Sequence, residues 1–231
     1  MTNDNSCDLT LDQVDRDGAI REALDAVDSR ASFLGKAFIG SAAFLTALAT
    51  PAKSEAAVSP SDAAILNFAL TLEYLQAAFY TETQRAGAVR AELARVPRQL
   101  GAVERAHVSA LKNVLGRTAV KRPAFNFRGV TEDQTKFLKT AVAFEDLGAA
   151  AYKGQAARLD SPALLAAAVA IHAVEARHAA WMRYLSGFTP AGTAFDQPKR
   201  EGEVRAIVAS TRFIAQRPKT ATRRRKPGYT G

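Results

Sequence analysis

The chain has 231 residues, 48% of them hydrophobic and 23% charged, enough for one domain with a sizeable core and flanking segments. Alanine supplies 48 residues against 14 Gly and 9 Pro, a composition that favours helix and excludes both a Gly/Pro-punctuated β protein and a chain too polar to fold. The formal charge is +8, yet residues 197–231 hold ten basic and two acidic side chains and carry all of it, so residues 1–196 sum to zero and a basic body is excluded; the single Cys7 excludes an internal disulfide and a Cys-based zinc site.

Residues 1–30 hold eight acids against three bases, and are followed by an apolar run of thirteen residues from Ala37 to Ala49 that Pro51 ends. Thirteen residues are too few to cross a bilayer, which needs about 20. The run suits the apolar region of an export signal, with Ala47-Leu48-Ala49 as a small-x-small cleavage site. The preceding Ser29-Arg30-Ala31-Ser32-Phe33-Leu34 resembles a twin-arginine export signature in which Ala31 stands at the second arginine. Residues 1–58 are therefore expected to form a leader that sends the protein to the periplasm or otherwise out of the cell interior. If they form an extra amphipathic helix instead, the protein stays cytoplasmic.

From Ser59 the pattern becomes helical. Ser61 and Asp62 offer an N-cap ahead of Ile65, Leu66, Ala69, Leu72, Gln76 and Phe79, a stripe at three- and four-residue steps that closes near Gly87. A second helix is expected from Pro97 to Gly116. Thr131-Glu132-Asp133-Gln134 reads as a capping box for a third, from about Glu132 to Gly154. Ser161-Pro162 combines an N-cap with proline at the first helical position and opens a fourth helix ending near Gly187. The outer connections are short and the middle one, residues 117–130, is long. That pattern predicts an all-α four-helix bundle with one long crossover over residues 59–196. A short C-terminal helix over residues 197–215 is expected to pack on its outside, before a basic tail at residues 216–231.

Carboxylates stand where a core should be. Glu73 lies between Leu72 and Leu75, and Glu145 follows Phe144 among Leu138, Ala141, Val142 and Ala149. Glu104 and Glu175, on the other two helices, are each followed three residues later by a histidine, His107 and His178. Positions i and i+3 share a helix face, so each pair can address one point in space. With 11 Glu in the chain, Glu-x-x-His arises by chance at two of three histidines about one time in a hundred. The glutamates are separated by 31, 41 and 30 residues, and Tyr80 and Tyr152 each follow a lone glutamate by seven, as though one helix-pair unit were used twice. Direct ligation by either tyrosine is not expected, because seven residues span roughly 10 Å of helix axis. Four buried carboxylates repel one another and desolvate at several kcal/mol per ion. Two divalent cations and two neutral imidazoles would resolve that, and this donor set suits iron or manganese. In such a site each Glu-x-x-His would serve one metal, with Glu73 and Glu145 completing or bridging the pair. His172 is expected to be a hydrogen-bonded interface histidine, with an added ligand or proton relay as the alternative. Asp146 could accept a proton from the far nitrogen of a ligand histidine.

The stretches LNFALTLEYLQAAFY (66–80), ERAHVSAL (104–111), RPAFNF (122–127), FEDLGAAAY (144–152) and SPALLAAAVAIHAVEARHAAWMR (161–183) resemble the bacterial ferritin-like domain family related to plant desiccation-related proteins. The resemblance implies a ferritin-like bundle with a dinuclear iron or manganese site at Glu73, Glu104, His107, Glu145, Glu175 and His178. Relatives often carry further acids where this chain has Gln76 and Ala78. Three functions compete: oxidation of Fe(II) with dioxygen or peroxide in stress protection, a dimanganese catalase-like activity, and a structural desiccation-stress role in which metal staples the bundle. A homo-oligomer is a further expectation. The basic tail would meet anionic lipid or envelope polymer if the protein is exported, and nucleic acid only if it is not.

Overall fold

The computed structural model describes residues 58–215. The leader reading, apart from Val58, and the basic tail at 216–231 lie outside them. Among the described residues there are five α-helices and no strands beyond one isolated bridge.

The first helix, α1 (Pro60–Ala86), is capped by Ser59, whose Oγ accepts from the Asp62 amide at 3.1 Å, with Pro60 in the first turn. The expected caps, Ser61 and Asp62, lie instead within the first turn. Proline cannot lie deeper in a helix without breaking a hydrogen bond, so the helix begins at it. Asp62 is 2% exposed and accepts from the Asp160 and Ser161 amides at 2.9 and 3.2 Å, tying this end of α1 to a distant turn. Helix α2 (Arg95–Leu115) starts two residues before Pro97, which sits in the first turn where proline is tolerated.

Helix α3 (Gln134–Ala156) is capped by Asp133, which accepts from the Lys136 amide at 2.8 Å. The expected Thr131 capping box is not formed. Residues 130–132 make a 3₁₀ turn instead, and buried Thr131 donates to Glu82 on α1 at 3.2 Å. Helix α4 (Pro162–Leu185) starts as its Ser-Pro signal predicts, with Ser161 accepting from the Leu164 amide. Helix α5 (Glu201–Thr211) follows a segment that crosses directly over α3, where the Lys199 amide donates to the Ala150 carbonyl. Gly154 permits this crossing, since a Cβ there would stand 2.0 Å from the Lys199 carbonyl oxygen.

Contacts fix the directions. Glu73 meets His107, while Thr81, further along α1, meets the earlier Arg105 and Asn67 bonds to Thr118 beyond the end of α2, so α1 and α2 are antiparallel. The start of α1 meets the end of α3 through Asp62 and Asp160, so these two are antiparallel as well. Helices α2 and α3 therefore run the same way, as a one-crossover bundle requires. The crossover is anchored by Phe127, 1% exposed, whose ring lies 5.4 Å from both Phe79 and Phe213.

Two apolar layers fill the bundle. One gathers Phe79, Phe137, Phe144, Leu100 and Met182; the other gathers Leu66, Leu70, Leu111, Leu115 and Ile171. Between them, at mid-height, lie the four glutamates. Helix α4 is long and apolar enough by length and composition to cross a membrane, yet its buried positions include Glu175 and His178, which face the other bundle helices.

Candidate metal centre

Each bundle helix delivers one carboxylate to this middle layer, and Glu73, Glu104, Glu145 and Glu175 are all 0% exposed. His107 and His178 stand one turn beyond Glu104 and Glu175, each 8% exposed. Both turn Nδ1 inward. His107 Nδ1 lies 3.1 Å from Glu104, 3.3 Å from Glu73 and 3.4 Å from Glu175; His178 Nδ1 lies 3.0 Å from Glu104 and 3.4 Å from Glu145. All six residues singled out by spacing are thus brought together.

They form two overlapping groups, Glu73–Glu104–His107–Glu175 and Glu104–Glu145–Glu175–His178, and within each the donor atoms lie within 4.8 Å of one another. Glu104 and Glu175 belong to both. The carboxylates common to both groups are thus those of the Glu-x-x-His pairs, and Glu73 and Glu145 each belong to one group.

Tyr152 donates to Glu73 Oε1 at 2.6 Å and Tyr80 donates to Glu145 Oε1. Each tyrosine sits seven residues from one lone glutamate and holds the other, across the bundle. Spacing along one helix cannot show this, because antiparallel α1 and α3 bring position i+7 of each level with position i of its partner. Gln76 was also hidden in the sequence, visible only as a departure from the acidic pattern of relatives. Its Nε2 donates to Glu175 Oε2 at 3.2 Å.

His172 lies outside the cluster, with Nδ1 3.1 Å from the Ala149 carbonyl, an interface histidine between α4 and α3. Asp146 does not serve a cluster histidine. It pairs with Arg183 at 2.6 Å, because its position beside Glu145 points it about 100° away, towards the half-exposed α3–α4 face.

The electrostatics are those of a site short of positive charge. Burial pushes the Glu145 and Glu175 carboxyls up to about 7, and for Glu175 the Glu104 charge adds to the rise. Burial likewise raises Glu73. Burial also acts to raise Glu104, but the facing imidazoles outweigh it and hold that carboxyl below its ordinary value. For His178, burial opposes the charged ring, yet Glu104 and Glu145 hold it at about 10. His107 is raised well above its usual range in the same way. Protons are thus recruited to balance the carboxylates.

The donor set fits metal ions. Buried Glu104 Oε1, Glu145 Oε2, Glu175 Oε1 and His178 Nδ1 have no aligned hydrogen-bond partner although they face one another, and orphaned buried polar atoms of this kind cost about 1–3 kcal/mol each. Four carboxylates with two imidazoles form a hard, oxygen-rich set that could bind metal ions and that, by its donors, favours iron or manganese over metals preferring thiolate. No curated protein matches the chain. Residues 61–187 match the ferritin-like domain, a stretch that holds all four bundle helices but for the first residue of α1 and contains the six clustered side chains; the chain belongs to the ferritin-like domain family.

Proposed function

We propose that the protein holds two metal ions, iron in the first instance, in the mid-bundle cluster and uses them to oxidise Fe(II) with dioxygen or peroxide. The observation that carries this reading is the pair of overlapping four-residue groups sharing Glu104 and Glu175. In it Glu73, Glu104, His107 and Glu175 hold one ion, and Glu104, Glu145, Glu175 and His178 the other. Bound there, a pair of redox-active ions supplies one-electron steps in tandem, matching the two-electron reduction of dioxygen to peroxide.

The chain's own groups hold the cluster in place. Tyr80 and Tyr152 fix the Glu145 and Glu73 carboxylates through one oxygen each, and the second oxygen of each faces a histidine Nδ1 inside the cluster. Gln76 does the same for Glu175. The apolar layers above and below exclude water, which strengthens every charge interaction inside. Both histidines must shed a proton for Nδ1 to act as a donor, so loading releases protons.

The leader-like residues 1–58 support a site of action outside the cytoplasm, in the periplasm, and the resemblance to desiccation-related proteins supports a role in stress protection. The test is metal analysis followed by aerobic Fe(II) oxidation and peroxide consumption. Saturable oxidation by the loaded protein, lost in Glu104→Ala, is the expected result. Fewer than about 0.2 metal ions per chain after careful loading would sink the dinuclear centre. Full loading with manganese and peroxide dismutation would replace the iron reading with the catalase-like one, and full loading without turnover would leave metal as a staple.

A further inference from the structure

A second feature lies away from the metal cluster, where the chain leaving α5 is zipped onto the crossover. Phe125 and Ile214 form an antiparallel bridge, the Asn126 amide donates to the Phe213 carbonyl and the Ala215 amide to the Ala124 carbonyl, both at 2.8 Å. This pairing sets Arg128 and Arg212 side by side, close enough for Arg128 Nε to donate to the Arg212 carbonyl at 3.4 Å.

Both arginines have left-handed backbones, φ 54° and 55°, the two positive-φ residues other than glycine among those described. Glycine takes that conformation without penalty, whereas a residue with a Cβ loses roughly 1 kcal/mol. The chain thus carries an arginine at two neighbouring turns where glycine is the less strained choice, and strain retained at two such points suggests side chains kept for use.

They face one groove of about 840 Å³, within the range of small-molecule sites. Its apolar floor is Phe68, Leu72, Val208 and Ile214. Arg205 completes the cationic rim; it stacks on Phe68 with its guanidinium carbon 5.1 Å from the ring centroid and also pairs with Glu201 at 2.7 Å. Among the described residues no acid lines the groove, and neither Arg128 nor Arg212 is paired with a carboxylate. Guanidinium forks bind planar carboxylates bidentately, and the apolar floor beneath them accepts a hydrocarbon chain.

We infer that this groove is a binding site for an amphiphilic carboxylate of the fatty-acid type, its head held by Arg128 and Arg212 and its chain lying along Leu72, Val208 and Ile214. Calorimetric titration of the full-length protein with decanoate, decanol and acetate tests it. Decanoate is expected to bind saturably, with decanol and acetate at least tenfold weaker, since each lacks half of the match. The variant Arg128→Gly/Arg212→Gly removes both heads while easing both backbones. It should bind decanoate at least tenfold more weakly with no fall in melting temperature. Decanoate binding that is absent, that decanol equals, or that survives in the double variant would overturn the proposal. So would a double variant that loses melting temperature, since both arginines would then be serving the turns rather than a ligand.

Discussion

The α1–α2 half of the centre and the α3–α4 half carry the same four chemical groups in the same order, yet their support differs. Glu73, Tyr80, Glu104 and His107 answer to Glu145, Tyr152, Glu175 and His178, and the tyrosines cross so that each half fixes the other's lone carboxylate. Three residues past the lone glutamates the halves part. Gln76 reaches Glu175, whereas Gly148 leaves a space that a Cβ would fill at 2.4 Å from Glu175 Oε2. Three residues before the shared glutamates they part again, with Gly101 packed on Tyr80 and His172 bonded to the α3 backbone. What is duplicated is the donor set and its tyrosine clamps. One difference falls on Glu175, whose Oε2 both accepts from the Gln76 amide and lies against the α3 backbone at Gly148.

The largest effect should come from breaking what both halves share. Glu104→Ala or Glu175→Ala removes a donor from each group at once and is expected to abolish loading. Glu73→Ala or Glu145→Ala removes a donor from one group only and should leave about one ion per chain. Elemental analysis after identical loading reads the difference. Equal losses in all four variants would show that the two positions are not separable as shared and unshared.

Acidity distinguishes metal-free from loaded protein next. Folded Glu145 and Glu175 titrate at about 7 against 4.5 for an ordinary carboxyl, so their contribution is full below 4.5 and is lost as pH rises through 7. His178, at about 10 against 6.5, contributes fully below 6.5 and loses its contribution as pH climbs towards 10. Metal-free protein should therefore melt lower at pH 8 than at pH 5.5. Bound metal competes with these same protons, so its affinity rises over that interval. The gap in melting temperature between loaded and metal-free protein should widen by about 10 °C, measured by calorimetry at the two pH values. A gap that is constant or shrinks would mean that ions bind elsewhere.

How much of this was readable beforehand follows from the kind of physics involved. The four helices, the crossover and the six clustered side chains are written locally: apolar steps of three and four, Ser-Pro at α4, and Glu-x-x-His at i and i+3. Those signals depend on one helix at a time. The caps at Ser59 and Asp133 were misplaced because Asp62 and Thr131, sound caps by type, are taken by distant partners, the Asp160 and Ser161 amides and Glu82. The tyrosine crossing, the Gln76 amide and the Asp146–Arg183 pair all depend on how one helix meets another. The repeated i+7 spacing of the tyrosines held the first of these in plain view, but only the antiparallel register of α1 and α3 turns it into a contact.

The asymmetry at Glu175 can be tested where it is tightest. Gly148→Ala places a methyl 2.4 Å from Glu175 Oε2 and 3.4 Å from Gln76 Nε2, so the carboxylate must move and its amide partner cannot follow freely. Because Glu175 belongs to both groups, affinity for both ions should fall, by about tenfold or more as for disrupted supporting contacts in general. Gln76→Leu removes the amide but not the space, and a smaller loss of a few-fold is expected. A Gly148→Ala variant that loads normally would show that Glu175 has slack that the packing denies.

The finest test returns to the crossed clamps. Tyr80→Phe and Tyr152→Phe each delete one buried hydroxyl that donates to a carboxylate, a bond of the kind worth about 1.5–3 kcal/mol. In metal-free protein the loss for Tyr80 should shrink as pH falls through 7, where its partner Glu145 takes up a proton. Comparing melting temperatures of the two variants at pH 5.5 and 8 separates charge from packing. If the clamps act through charge, both variants should cost more at pH 8 than at pH 5.5, because carboxylate ionisation grows as pH rises. With metal bound the two should converge, since each clamped carboxylate then carries the same charge and the same neighbour. Costs that do not change with pH would reduce the tyrosines to filling space between the two apolar layers.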